Sequence, residues 1–215
     1  MTRKSLFAAL AASLLAGSAF AADRQPVETL TQELEIGDAA NLTVQFPVGN
    51  LALIGTGGDK IQAQVAILCE QPTSSACRRV VEKAKIKLTR SGKGLVLKVE
   101  GWPKSKGSEI ELDGRIEIPR GMNVLAEVEV GDFSAKGFEG NLDVDVEVGE
   151  ATVEAKADDV GKVLLDAGVG DVALKVDGTE VEGDGLVGQD LKWTGKGKAM
   201  ISIDVNVGDI LVTLD

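Results

Sequence analysis

A short motif of valine, glycine and an acidic residue recurs along the second half of this chain. The copies read VEVGD at 128–132, VEVGE at 146–150, GVGD at 168–171 and NVGD at 206–209. Their glycines are 18, 21 and 38 residues apart, and the last spacing is about twice the others. Repetition at about 20 residues is typical of stacked architectures, in which no single unit can bury its apolar row alone.

Two further segments resemble weaker copies of this motif. Val187-Gly188-Gln189 falls where the long spacing leaves room for a missing copy, and Val48-Gly49-Asn50-Leu51 is an earlier relative. Glycine permits the backbone angles of a sharp corner, and Asp or Asn tolerates a turn. Stacking in chain order would bring Asp132, Glu150 and Asp171 together, about 4.8 Å apart, with Gln189 and then Asp209 following.

The segments before and after each corner alternate apolar and polar residues, as LDVDVEV at 142–148 does. Such alternation predicts strands with one buried face. The predicted inward rows are Val124, Ala126, Val128 and Val130; Leu142, Val144, Val146 and Val148; and Ile201, Ile203, Val205 and Val207. We therefore predict an all-β fold, a β-solenoid of roughly 20-residue coils. An antiparallel β-sandwich is the alternative, since regularly spaced short strands also form hairpins.

One helix is predicted at residues 74–85, with Ser74 or Ser75 as its cap and Val80, Val81 and Ala84 at helical spacing. Cys69 and Cys77, eight residues apart, predict a disulfide if the chain is exported, and a reduced pair is the alternative.

Residues 1–21 have the pattern of a signal peptide. Arg3 and Lys4 precede an apolar run from Leu6 to Leu15, and Ala19-Phe20-Ala21 fits a cleavage site. Residues 22–215 are then a single β-repeat domain, with a possible subdomain boundary in GWPKSKGS at 101–108. We expect an exported protein, periplasmic, envelope-associated or secreted, and not an integral membrane protein. A retained anchor helix is the alternative.

The charge is unevenly distributed. The net charge is −11, which argues against nucleic acid as a partner, yet residues 76–106 carry ten Lys or Arg and two acids. This segment supplies a candidate patch for an anionic envelope partner or for the acidic face of another copy: Arg78, Arg79, Lys83, Lys85, Lys87 and Arg90. A solvated basic surface is the alternative. A smaller basic loop contains Lys192, Trp193, Lys196 and Lys198.

The composition gives little support to catalysis. The chain contains no histidine and no tyrosine, so the usual base for a serine or cysteine nucleophile is absent. Carboxylate pairs of the glycosidase type remain an alternative, although most acids fall on the polar phase of strands. We predict no cofactor. The corner acids Asp132, Glu150, Asp171 and Asp209 are a weak candidate for calcium, with turn chemistry as the other interpretation.

The repeat resembles a family of bacterial exported β-strand-repeat proteins of unknown function described as "putative adhesins". The similar units are VEVGDFSAKGFEG, VEVGEATVEA, AGVGDVALKV and VNVGDILVTL, together with the earlier FPVGNLALIGTGGDKIQAQV. The resemblance covers roughly residues 40–215. It implies a right-handed or related β-solenoid of the toast-rack type, a cell-envelope or secreted address and an adhesin role. It supplies no catalytic residues and does not extend to the Cys69–Cys77 segment.

These observations predict a non-enzymatic exported β-repeat protein, acting as an adhesin or cell-envelope interaction module. The alternatives are a structural or stress-response periplasmic scaffold and, less favoured, a carboxylate-based enzyme.

Overall fold

The computed structural model describes residues 24–103, 109–185 and 187–215. The predicted signal peptide at 1–21 lies outside the described residues, as do residues 104–108 of the predicted loop. The strands are β1 Gln25–Glu35, β2 Asn41–Thr56, β3 Lys60–Cys69, β4 Lys85–Ser91, β5 Gly94–Glu100, β6 Ile110–Pro119, β7 Asn123–Val130, β8 Phe133–Lys136, β9 Leu142–Val148, β10 Ala151–Ala155, β11 Val160–Val169, β12 Val172–Val176, β13 Thr179–Glu182, β14 Gln189–Thr194, β15 Ala199–Val207 and β16 Ile210–Leu214.

The one helix of the described residues is α1, Ser75–Lys83, so the prediction of an all-β chain with one short helix near 74–85 is confirmed. Ser74 is its cap, and the Ser74 hydroxyl accepts a hydrogen bond from the Cys77 N–H at 3.1 Å. The predicted disulfide is also present: Cys69, the last residue of β3, is joined to Cys77 in the helix, with their Cα atoms 6.1 Å apart. The disulfide therefore fixes the start of α1 against the end of β3.

The strands form two sheets that share β2. The second half of β2 belongs to the first sheet, ordered β1-β3-β6-β2-β8-β10-β16-β12-β13. Its first half belongs to the second sheet, ordered β4-β5-β2-β7-β9-β15-β11-β14. The predicted corner at Gly49 is where β2 passes from one sheet to the other, and Gly49 has a φ of 114°. The buried side chains of both sheets belong to one hydrophobic cluster.

Each motif glycine joins a second-sheet strand to a first-sheet strand. We call each such pair a corner unit: unit 1 is β2 itself, unit 2 is β7–β8, unit 3 is β9–β10, unit 4 is β11–β12 and unit 5 is β15–β16. Neighbouring units pair in parallel and in register, whereas antiparallel pairs lie at the ends, as in β1–β3, β4–β5, β11–β14 and β12–β13.

The units do not stack in chain order, so that expectation is wrong. Unit 5 lies between units 3 and 4: β15 pairs with β9 and β11, and β16 pairs with β10 and β12. The order is therefore 1-2-3-5-4. The degenerate copy at 187–189 is not a corner unit, because Gln189 opens β14, which runs antiparallel to β11. The Gln189 side chain nevertheless lies next to the corner of unit 4. It accepts a hydrogen bond from the Val172 N–H at 2.9 Å and donates one to the Asp171 carboxylate at 3.0 Å.

The predicted inward rows are mostly buried, from Val124 to Val128, Leu142 to Val146 and Ile201 to Val205. The last valine of each row is an exception. Val148 and Val207 are 45% and 47% exposed, contrary to prediction, and Val130 is half-buried. At these positions the chain already turns toward the other sheet, so the side chains lie outside the space between the sheets.

Among the described residues, no helix has the length and apolar character needed to cross a membrane.

Candidate functional site

A cleft of about 900 Å³ lies where helix α1 meets the corner side of the sheets. One face of the helix borders it, because Ala76, Arg79, Val80 and Lys83 are three and four residues apart and so project from the same side. The other walls come from Pro47 and Val48 of β2, Val99 of β5, Gly101, Trp102 and Pro103, Glu109 and Ile110, and Glu129 of β7. The Cys69–Cys77 disulfide holds the helix that forms one wall.

The floor of the cleft is apolar. Val80 and Ile110 are buried, and Val99 and Trp102 are partly buried and pack against the core. Trp102 has the largest side chain of this set, with an indole N–H as its polar group. An apolar floor with a few polar groups at its rim is the usual composition of a small-molecule site.

The rim of the cleft carries two cations. Arg79 and Lys83 are exposed, and neither side chain forms an ion pair with another described residue. Glu109 and Glu129 line the same cleft. Two cations not engaged by the described part of the protein are available to an external anion, in a chain whose net charge is −11.

The structure distributes the six predicted patch residues over three places. Arg79 and Lys83 line the cleft, and Arg78 is exposed on the same helix but outside the cleft lining. Lys85 and Lys87 on β4 approach Glu100 at 3.7 Å and 2.9 Å. Arg90 binds Asp38 at 2.9 Å and donates to the Ile36 carbonyl.

Glu100 is the ion-pair partner of three lysines on β4 and β5: Lys85, Lys87 and Lys98. The hydrogen bond from Lys87 lowers the pKa of Glu100, and a further hydrogen bond from Lys98 acts in the same direction. Lys85, Lys87 and Lys98 thus share one carboxylate, and the cluster keeps a net positive charge. Helix α1 differs from this cluster, because Arg78, Arg79 and Lys83 form no ion pair with another described residue.

The corner acids are arranged in the order Asp132, Glu150, Asp209 and Asp171. The Asp132 carboxylate accepts the Glu150 N–H at 3.2 Å, and the Asp209 carboxylate accepts the Asp171 N–H at 2.8 Å. These oxygens thus serve backbone groups of the neighbouring unit. In the parts of the chain described here, no group of three or more Asp, Glu, Cys or His side chains is arranged to hold a metal ion.

A second acidic feature was not anticipated from the sequence. On the outer face of the second sheet, five acids of adjacent strands lie directly opposite one another: Glu127, Asp145, Asp204, Asp166 and Asp190. We call this set the acid row. Burial raises the pKa of Asp145, and Glu147 and Glu127 add to it; burial likewise raises the pKa of Asp204, with Asp166 and Asp145 contributing. The outward phase of each acid was visible in the sequence, but its neighbours depend on the stacking order.

The corner valines form another unanticipated feature. Val48, Val130, Val148, Val207 and Val169 occupy paired positions on consecutive strands, and we call them the valine row. Val148, Val207 and Val169 are 45%, 47% and 50% exposed. The row begins in the cleft, since Val48 is also part of the cleft wall.

The fold is shared with a known structure. No protein-family model and no curated protein matches the chain. Among solved structures it is similar to a "putative cell adhesion protein" from Clostridium sporogenes, with 18% identity and a TM-score of 0.56 over 89% of this chain and 100% of that one. "Putative adhesins" from Parabacteroides distasonis and Parabacteroides merdae are 11% and 10% identical, with TM-scores of 0.30 and 0.31; each match covers 86% of this chain, and 70% and 81% of theirs. The resemblance predicted from the repeat is therefore confirmed, at the level of the fold, by the Clostridium structure.

Proposed function

We propose that this protein is an exported, non-enzymatic interaction module of the adhesin type, which binds an anionic component of the cell envelope. The observation that carries the proposal is the cleft beside helix α1. Arg79 and Lys83 line its rim and form no ion pair with the described residues, whereas Lys85, Lys87, Lys98 and Arg90 each pair with a carboxylate of the chain. The fold shared with a "putative cell adhesion protein" is consistent with this role.

The proposal also covers the architecture of the fold and the cellular location of the protein. We describe units 1–5 as a short β-solenoid, and their parallel, in-register pairing supports that description. Export to the periplasm, the envelope or the medium is supported by the Cys69–Cys77 disulfide, because disulfides persist mainly in oxidising compartments.

The test is a sedimentation assay with envelope fractions from the source cells. We expect the mature protein to sediment with the envelope at low salt and to be released as salt rises, because an exposed ionic contact is screened. The variant Arg79→Glu/Lys83→Glu should lose this binding. Lys196→Glu/Lys198→Glu makes the same change in net charge in the smaller basic loop and should retain it.

Two results would contradict the proposal. One is envelope binding that is unchanged in the Arg79→Glu/Lys83→Glu variant, and the other is equal loss in both variants, since the latter would indicate only a response to net charge. Circular dichroism and thermal melts of all three proteins establish that the substitutions leave the fold intact.

A further inference from the structure

We infer that the cleft and the valine row together bind a single-chain anionic amphiphile, a long-chain fatty acid carboxylate. The inference rests on the proposed function, because it takes Arg79 and Lys83 as the anion contacts and names the class of ligand. Its evidence lies in three parts of the same surface: the charges at the rim, the apolar floor and the row of valines that leads away from it.

The rim suits a head group with one negative charge. Arg79 and Lys83 lie one helical turn apart on the same face of α1, where a guanidinium can bind a carboxylate through two hydrogen bonds and an ammonium can add a third. Glu109 and Glu129 line the same cleft but form no ion pair with either cation. A polyanion such as a polyphosphate would meet these acids, so a singly charged carboxylate fits better.

The floor suits an alkyl chain. Val80 and Ile110 are 5% and 8% exposed, and Val99 and Trp102 pack against the core beside them. The volume of about 900 Å³ lies within the range of small-molecule sites, roughly 300–1,000 Å³. Transfer of each methylene group from water onto such a surface is favourable, so the affinity for the carboxylate should rise with the length of its alkyl chain.

The valine row offers a continuation for a longer chain. It runs from Val48 in the cleft to Val169 across four strand spacings, a length of roughly 19 Å at about 4.8 Å each. The row is one side chain wide, which matches one extended alkyl chain and not a flat membrane contact. The corner acids Asp132 and Glu150 follow the glycines next to it and would repel an anionic lipid surface.

The two tryptophans of the chain provide a direct readout. Trp102 is in the cleft, and Trp193 is on β14. In the Trp193→Phe variant Trp102 is the remaining tryptophan, so the fluorescence emission reports on the cleft alone. Trp102→Phe, which keeps only Trp193, is the control. With the mature, disulfide-bonded protein, dodecanoate below its micelle concentration should shift the Trp102 emission saturably and leave the control unchanged. Dodecanol and acetate should bind much more weakly, because each lacks one half of the ligand.

Two pairs of variants separate head group from chain. In the Trp193→Phe background, Arg79→Gln/Lys83→Gln should weaken dodecanoate binding about ten-fold or more, and Lys196→Gln/Lys198→Gln should not change it. Val148→Thr/Val207→Thr keeps the shape of the exposed valines. It should weaken hexadecanoate binding but not octanoate binding, whereas Val181→Thr, at an equally exposed valine of β13, should affect neither.

The inference is overturned if dodecanoate leaves Trp102 emission unchanged, if the Arg79→Gln/Lys83→Gln variant binds equally well, or if dodecanol binds as tightly as dodecanoate. Binding to anionic vesicles with none to monomeric dodecanoate would identify a membrane surface and also overturn it. Envelope sedimentation separates the two claims: loss of that binding in Arg79→Glu/Lys83→Glu, with no dodecanoate binding, retains the proposed function and removes the inference.

Discussion

At the scale of single residues, the motif glycine meets two requirements at once. Gly149 has a φ of 146°, which side chains rarely adopt, and a Cβ placed on it would lie 2.0 Å from the carbonyl oxygen of Gly131. The corner glycines thus contact one another from unit to unit, and Gly208 approaches the Gly149 carbonyl in the same way. Glycine is needed for the bend and also for the close approach of neighbouring corners.

This arrangement predicts that Gly149→Ala lowers the free energy of unfolding by about 3 kcal/mol, through backbone strain and overpacking together. Gly92→Ala is the matched control: its φ is 59°, but nothing lies within 4 Å of the added Cβ, so a cost of about 1 kcal/mol is expected. Urea unfolding of both variants measures the difference. Equal costs would mean that the contact between corners contributes nothing.

The role of these glycines was only partly predictable. The Val-Gly-Asp motif indicated a bend, and the bend is present at Gly131, Gly149, Gly170 and Gly208. The same motif placed Val148 and Val207 in the core, where they are not. Alternation in a sequence assigns a phase to a strand but does not show where the facing sheet ends, and the last residue of each strand lies past that edge.

At the scale of strands, the acid row sets a cost on the pairing that builds the second sheet. Asp145 lies directly opposite Glu127 on one neighbour and Asp204 on the other. Burial raises the pKa of Asp145, and the negative charges of Glu147 and the cross-strand neighbour Glu127 add to the rise. The ionised form of Asp145 therefore destabilises the folded state.

From this we expect Asp145→Asn to stabilise the protein at pH 7 by about 0.5 kcal/mol. Because the folded-state pKa of Asp145 is raised, its ionised carboxylate destabilises the folded protein fully at pH values above that pKa. This destabilisation decreases as the pH falls through the folded-state pKa and is absent below the ordinary value of 3.8. The variant and the parent should thus converge in stability below that value. Added salt should stabilise the parent more than the variant at pH 7, since it screens the repulsion.

Urea unfolding at several pH values and salt concentrations measures both effects. The control is Glu28→Gln, which removes a charge from β1 at a position whose cross-strand neighbour is Ile67. Stabilisation by the control as large as that by Asp145→Asn would show that net charge, and not the acid row, is responsible.

At the scale of the whole molecule, the stacking order 1-2-3-5-4 is the feature that the repeat could not reveal. Every corner unit has the same apolar phase, so any unit can pair with any other as far as its pattern shows. The order is decided by the neighbours of unit 4, because β13 and β14 pair antiparallel with β12 and β11 on its outer side. Unit 5 is therefore accommodated on the inner side of unit 4, beside unit 3.

We predict that a variant lacking residues 196–215 fails to fold cooperatively, since it removes one of the two pairing partners from each of β9, β10, β11 and β12 at once. A variant that lacks Gln25–Glu35 should keep a cooperative transition at lower stability, because β1 is an edge strand that pairs with β3. Circular dichroism during thermal melts and limited proteolysis distinguish the two. A cooperative melt of the first variant would contradict the role given to unit 5.

The position of unit 5 also has a consequence in time. Its strands follow those of all the other units along the chain, so this inner unit is synthesised after units 3 and 4, its neighbours on both sides. Until residues 199–214 are available, units 3 and 4 have no partner on the faces that they turn toward each other, and non-local pairing of this kind is slow to form. For the exported chain proposed above, such late pairing would leave the polypeptide incompletely folded during passage across a membrane. The fold would then be completed on the far side.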